Sequence, residues 1–204
     1  MIECYVLAGG QSRRFGEDKT LFHIGGVPCI QRVTQEARKV CDKVFVVSKD
    51  TNKYGFLQGV ELIKDVSERQ LPLVGLYTAL SHTKQDRIVI LSADMPLIKA
   101  DLILYIWQKY DGKITLYQVR GKTYTFFGVY PKEILKPLED FLEAGGVRAL
   151  DFVCSVGYTP VQEEEVINMG ISPEVFMNMN TKEDARIILE IYERDKLKDF
   201  GNDL

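Results

Sequence analysis

With 204 residues, 46% hydrophobic and 27% charged, the chain has the composition of one folded domain with a full core. Its formal net charge of -3 excludes a general nucleic-acid binder, so a polyanionic ligand must meet a local basic cluster. The longest apolar run, LPLVGLYTAL, has about half the length a membrane span needs, and no charged segment precedes a long apolar run at the start; neither an anchor nor a signal peptide is expected.

IECYVLA, near the start, is apolar for several residues with few breakers, which predicts a buried strand. VPCIQRVTQEARKV sets Val27, Ile30, Val33 and Ala37 at helical spacing around Pro28, so a helix follows. KVFVVS, VELIK and RIVILSA repeat the buried-strand pattern, and VGLYTALSH and ADLILYIWQKY read as helices. Beyond residue 113 the rhythm changes. KITLYQV and TYTFFGVYP are strands in direct succession, which predicts an antiparallel strand in the sheet. Residues 132 to 156 read as helices, and Thr181 with Asp184 marks the start of a last one. The expected fold is a three-layer α/β/α, doubly wound, mostly parallel sheet with one antiparallel strand. One domain is expected over 1–197, with a loose tail at 198–204.

In such sheets ligands bind at the carboxyl ends of strands where strand order reverses, and LAGGQSRRFGEDK (residues 7–19) directly follows the first strand. Gly9 and Gly10 can take positive φ and let a ligand approach the main chain closely. Arg14 offers a planar fork to phosphate oxygens and Lys19 a mobile point charge. Five residues, not four, separate Gly10 from Gly16, so this is not a Walker A loop; adjacent Gly9 and Gly10 rule out G-x-G-x-x-G. A solvated surface turn is the plain alternative. Cys4, Cys29, Cys41 and Cys154 form no close pair and are expected to be buried free thiols rather than zinc ligands or disulfides. His23 and His82 have no ligand spacing around them and read as structural or surface residues.

This opening stretch resembles LAGGxSxRMGxDK, the signature of nucleotidyltransferases that activate molybdopterin. It is most similar to that of the molybdenum cofactor guanylyltransferase (MobA) family. Leu7, Ala8, Gly9, Gly10, Ser12, Arg14, Gly16, Asp18 and Lys19 match, and Phe15 replaces the usual Met. The resemblance continues at intervals to about residue 184 and implies a Rossmann-like fold of the nucleotide-diphospho-sugar transferase type.

RIVILSADMP puts Asp94 after a strand and beside that loop, placed to hold Mg²⁺ or to open an Asp-x-Pro turn. Its similarity to the family's C-D-M-P, with Ala93 for Cys, implies the metal role. ELIKD ends in Asp65, whose two acceptor oxygens suit the adjacent N–H donors of guanine; the resemblance implies that reading role. Ser48 stands near the nucleotide by resemblance, or in an exposed turn. LPLVG, residues 71–75, is similar to the family's G-P-L-A-G, with Leu71 and Val74 in place of its first Gly and its Ala. Arg148 in GGVRAL takes the place of a second-substrate arginine, or lies on a helix surface. NMNT matches the family's N-x-N-T; the match turns Asn178 and Asn180 toward the active site, whereas without it they form a turn before the cap at Thr181.

The resemblance thus implies GMP transfer from GTP to molybdenum-molybdopterin cofactor, with release of pyrophosphate. Arg14, Lys19 and Asp94 would be catalytic and Mg²⁺ the cofactor, held by Asp94. Leu7, Ala8, Gly9, Gly10, Lys19, Ser48, Asp65 and Asp94 would bind GTP, and Arg148, Asn178 and Asn180 would face molybdopterin. A cytoplasmic setting is expected, with no nucleic-acid or membrane partner and room for transient contact with other cofactor-biosynthesis proteins or recipient molybdoenzymes. The rivals are a relative using CTP or a sugar phosphate, and a non-catalytic guanine-nucleotide-binding protein. Cytidylyl relatives usually show LAAG, and a mere binder need not keep both Lys19 and Asp94.

Overall fold

The computed structural model describes residues 1–10 and 14–202. In chain order the elements begin with β1 (Glu3–Leu7), a hairpin of β2 (His23–Ile24) and β3 (Val27–Pro28), α1 (Cys29–Arg38), β4 (Lys43–Ser48) and β5 (Glu61–Lys64). Then come α2 (Pro72–His82), β6 (Arg87–Ser92), α3 (Ala100–Lys109), β7 (Ile114–Val119) and β8 (Lys122–Pro131). The chain closes with α4 (Leu135–Glu143), α5 (Ala149–Val156), β9 (Tyr158–Gln162), α6 (Glu163–Asn168) and α7 (Lys182–Asn202).

Seven strands form one sheet in the order β5-β4-β1-β6-β8-β7-β9. Among the described strands of that sheet, β8 alone runs against the rest, antiparallel to both β6 and β7. The central strands are buried on both faces, which is why their sequences are continuous apolar runs. In β1, Cys4 and Val6 enter a core with Ile30 and Val33 of α1, Leu102 and Ile106 of α3 and Ile188 of α7. Tyr5 and Leu7 point the other way, to Leu73 and Leu76 of α2, Leu138 of α4 and Phe152 of α5. Each such aliphatic side chain contributes roughly 1.5–3 kcal/mol by leaving water, and alternation along one strand therefore fastens helices to both faces.

Three expectations need correction. VELIK reads as a buried strand, yet β5 is a sheet edge with Glu61, Leu62 and Lys64 exposed, because it pairs with β4 only. The residues from 198 to 202 are not a loose tail but continue α7 to Asn202. Cys154 is exposed and Cys41 half-buried, while Cys4 and Cys29 are buried as expected, burial pushing both of those thiols up. β9 and α6 were not legible: β9 is an edge strand that carries Pro160, which an edge tolerates, and α6 is six residues long, started by a Gln162–Glu165 capping box.

The antiparallel insertion requires one close approach. A Cβ on Gly128 of β8 would lie 2.3 Å from the Thr115 carbonyl oxygen and 2.5 Å from Leu116 Cδ2, and the carbonyl belongs to the paired strand, so it cannot swing away. Gly128→Ala is expected to destabilise the protein by about 1–3 kcal/mol, as overpacked sites do. Urea unfolding should show a lower midpoint with the slope unchanged.

Candidate active site

The chain leaves β1 for β4 and β5 on one side and returns to β6 on the other, so strand order reverses between β1 and β6. A cavity of about 340 Å³ opens there, beyond the carboxyl ends of these strands. At one end Lys19 Nζ pairs with Asp94 Oδ2 at 2.6 Å and donates to Asn180 Oδ1 at 2.8 Å. Asp94 Oδ1 accepts from Ser92 Oγ at 2.6 Å and from Asn178 Nδ2 at 2.9 Å. The Asp94 carbonyl accepts from the Met179 N–H at 2.8 Å, which pins the 178–180 segment beside the carboxylate. The donors gathered here are carboxylate, amide and hydroxyl, and no cluster of three or more His, Cys, Asp or Glu occurs among the described residues. That set suits a hard divalent cation shared with substrate phosphates and does not suit zinc.

The other end carries Asp65, nearly buried. Its Oδ1 accepts from Thr78 Oγ1 at 2.6 Å, its Oδ2 lies 3.3 Å from Lys49 Nζ, and its N–H donates to the Ser48 carbonyl at 2.9 Å. Lys49 also donates to the Ser67 carbonyl. Leu7, Val47, Leu71 and Pro72 line the space between, so the cavity is apolar in the middle and charged at both ends.

Leu7, Ala8, Gly9, Gly10, Lys19, Asp65, Asp94, Asn178 and Asn180 all line this cavity. Three expected members do not. Ser48 is buried and turned to its own loop, its Oγ accepting from the Asp50 N–H at 3.3 Å. Arg14 is exposed on the loop, and Arg148 is the exposed residue before α5, 3.8 Å from Asp151. Ser12 lies outside the described residues. Neither Gly9 nor Gly10 has positive φ; Gly16 has, at 84°. Among the described residues no atom lies within 4 Å of a Cβ built on Gly9 or Gly10, and both line the cavity with main chain. Lys49 and Phe126 line it as well and were not foreseen, since a lysine after a strand and a phenylalanine within one carry no local mark of a site.

This fold and this cavity define a doubly wound α/β domain with its charged groups set at the strand switch point, where ligands of such folds bind. The chain belongs to the family described as the MobA-like NTP transferase domain, whose match spans residues 4–153. A relative from Aquifex aeolicus strain VF5, named "Probable molybdenum cofactor guanylyltransferase", is 38% identical over 92% of this chain and 90% of its own length. A crystal structure of a protein from Aquifex aeolicus VF5 superposes with a TM-score of 0.75 at 37% identity, covering 88% of this chain and 93% of that one. Molybdopterin-guanine dinucleotide biosynthesis protein A from Archaeoglobus fulgidus shares the fold at a TM-score of 0.80 and 21% identity, over 95% and 100% of the two chains.

Lys19 is aimed by its neighbour. Asp18 caps the turn Lys19–Leu21, its Oδ1 accepting from Thr20 N at 3.0 Å and Thr20 Oγ1 at 2.7 Å, and its Oδ2 pairs with Lys53 at 2.5 Å. Burial opposes its ionisation, but the bonds from Lys53 and Thr20 outweigh this and hold the carboxyl below the usual carboxylate range. A depressed folded-state value means stability that is present above the unfolded carboxylate range and lost as pH falls through the folded value. Asparagine still caps the turn, so Asp18→Asn removes the charge paired with Lys53 and is expected to cost up to about 1 kcal/mol at pH 7, the size of a partly exposed ion pair, with the gap to wild type closing below about pH 4. Thermal unfolding of both proteins at pH 7 and pH 3 measures it; a gap of equal size at both values would show that the charge is irrelevant.

Proposed function

We propose that this domain transfers GMP from GTP to the terminal phosphate of molybdopterin cofactor and releases pyrophosphate. The observation that carries the reading is one cavity with an acceptor–donor pair, Asp65 and Lys49, at one end and the Lys19–Asp94–Asn180 cluster at the other. Guanine presents O6 as an acceptor beside N1–H and N2–H as donors, so Lys49 meets the first and Asp65 the other two. Cytosine and adenine present an amino donor where guanine has O6, and a ring acceptor that would face the carboxylate. The apolar walls at Leu7, Val47 and Leu71 receive the flat ring. The names of the relatives support both substrates.

The triphosphate runs along the bare main chain of Gly9 and Gly10 to Lys19, with Arg14 approaching from the exposed loop. An oxygen of the acceptor phosphate attacks the α-phosphorus; the bond to the bridging oxygen breaks, and pyrophosphate leaves with the electron pair. Lys19, stored against Asp94, passes to the phosphate oxygens as charge develops there. A divalent cation, Mg²⁺ in this reading, would be held by Asp94 with the phosphates and would supply charge neutralisation. No side chain becomes a covalent nucleophile: positioning and electrostatics carry the reaction. Among the described residues no helix is long and apolar enough to cross a membrane, in keeping with an enzyme of the cytoplasm.

Two measurements test the reading through pyrophosphate release with purified molybdopterin. Lys19→Ala should lower kcat about a hundredfold, roughly 3 kcal/mol of transition-state stabilisation, and raise the KM for GTP far less. A raised KM at unchanged kcat would make Lys19 a ground-state binder. Asp65→Asn should lower kcat/KM for GTP about tenfold to a hundredfold, because one acceptor becomes a donor facing a donor. ITP lacks the 2-amino group, so the preference for GTP over ITP should shrink in the variant. A ratio equal to wild type would show that Asp65 does not read that group.

A further inference from the structure

The cavity of the proposed transfer site does not end at Asn178. A second cavity of about 130 Å³, lined by Ser92, Lys122, Tyr124, Phe126 and Asn178, continues from it along β8. A third, of about 340 Å³, lies between the β7–β8 turn and α7, with Arg120, Lys122 and Tyr124 on its wall. Asn178 lines all three, so they form one groove that crosses the transfer site.

The new arm carries positive charge held in place. Lys122 Nζ donates to Asn178 Oδ1 at 2.9 Å and lies 4.5 Å from the centre of the Tyr124 ring. Asn178 passes its own N–H to Asp94, so Lys122 is joined to the transfer centre through one amide. Arg120 sits at φ 51° in the turn, left-handed backbone that an arginine adopts at a cost, followed by Gly121 at φ 70°. Glycine would serve that turn without strain, so the side chain needs another use. The acids nearby are already engaged. Glu174 pairs with Arg194 at 2.6 Å, Glu163 accepts from the Arg120 N–H at 2.5 Å, and Asp184 caps α7 by accepting from the Asn180 and Thr181 N–H groups. Two cations, Arg120 and Lys122, thus share the walls of this groove with the carboxylates of Glu174 and Asp184, whose oxygens already have donors from Arg194 and from the start of α7.

We propose that this arm seats the acceptor: Lys122 and Arg120 bind the phosphate monoester whose oxygen attacks, and the rest of the acceptor extends between β8 and α7. The proposal rests on the transfer reading above; it keeps Asn178 and Asn180 on the acceptor side and replaces Arg148, which lines neither cavity, with the β7–β8 turn.

The test uses the full chain with two variants, Lys122→Gln and Arg120→Gly. Glycine fits the left-handed position, so Arg120→Gly should melt at the wild-type temperature or above, and a merely structural role predicts no further effect. Steady-state pyrophosphate release should show the KM for molybdopterin raised about tenfold in each variant, with Mg-GTP affinity within twofold of wild type. Binding of inorganic phosphate alone, followed by ³¹P line broadening, should weaken in both. Unchanged acceptor KM and phosphate binding in both variants overturn the arm while leaving transfer by the wild-type protein standing. Equal losses for GTP and acceptor also overturn it, since the two side chains would then act on the transfer centre through Asn178. If wild type does not turn over molybdopterin yet phosphate binding still falls in both variants, the arm stands as a phosphate-monoester site and the choice of acceptor fails.

Discussion

The contact between Lys19 and Asp94 closes the site across 75 residues of chain, and the bond from Lys19 to Asn180 spans 161. Both charged side chains are largely buried, at 15% and 13% exposure, so neither is well compensated by water. Each must be neutralised by the other and by hydrogen bonds, from Ser92 and Asn178 to the carboxylate and from the ammonium to Asn180. A buried pair of this kind adds little net stability, because desolvation offsets its attraction, but removing one member leaves a stranded charge. The pair therefore specifies an arrangement: the opening loop, the end of β6 and the segment before α7 meet at these groups. It also holds a cation and a carboxylate at short range beside the main chain of Gly9 and Gly10.

What was legible in the chain follows from how each element is covered. β1, β4 and β6 are flanked by strands and roofed by helices on both faces, so their sequences must be apolar throughout, and they read as strands at once. β5 and β9 stand at the edges, where half of that pressure is absent. β5 kept enough apolar residues to be recognised yet not its exposure, and β9, with Pro160, was not recognised. The same holds for the site. Asp94 announces itself because it stands just beyond the end of β6, and Lys19 and the asparagines do so through LAGGQSRRFGEDK and NMNT, the stretches that resemble the family's motifs. Lys49 and Lys122 do not, since what makes them members is which way a side chain turns and which distant carboxylate or amide receives it. Arg148 shows the converse: a helix-start arginine fits the expected pattern in sequence, and its side chain ends in solvent near Asp151.

Asp18 belongs to a further kind of residue, visible in the opening motif but silent about its use. It does not itself line the cavity, and its carboxylate spends its oxygens on Thr20, which does, and on Lys53. Tyr54, whose hydroxyl lies 2.8 Å from Thr20 Oγ1, extends the same network into the core. A lysine side chain has four rotatable bonds and a large entropy to lose, so fixing the backbone that carries it reduces the search its ammonium must make. The acidic residue thus acts through geometry, by fixing the turn from which the Lys19 side chain extends.

The antiparallel course of β8 decides where the acceptor arm can lie. A strand parallel to β6 would bring its carboxyl end to the ligand edge and its beginning to the opposite edge. Reversed, β8 brings its first residues there, and with them the tight turn from β7. Only Phe127 to Pro131 pair with β6, so Lys122 to Phe126 overhang the end of β6 at Ser92 and stand over the transfer centre. The β6–β8 register fixes this overhang, while Gly128 lets the Thr115 carbonyl of β7 approach on the other side of β8. The antiparallel pairing of β8 with β6 thereby sets how far Lys122 stands past the end of β6, and so where the cations of the acceptor arm lie relative to Asp94.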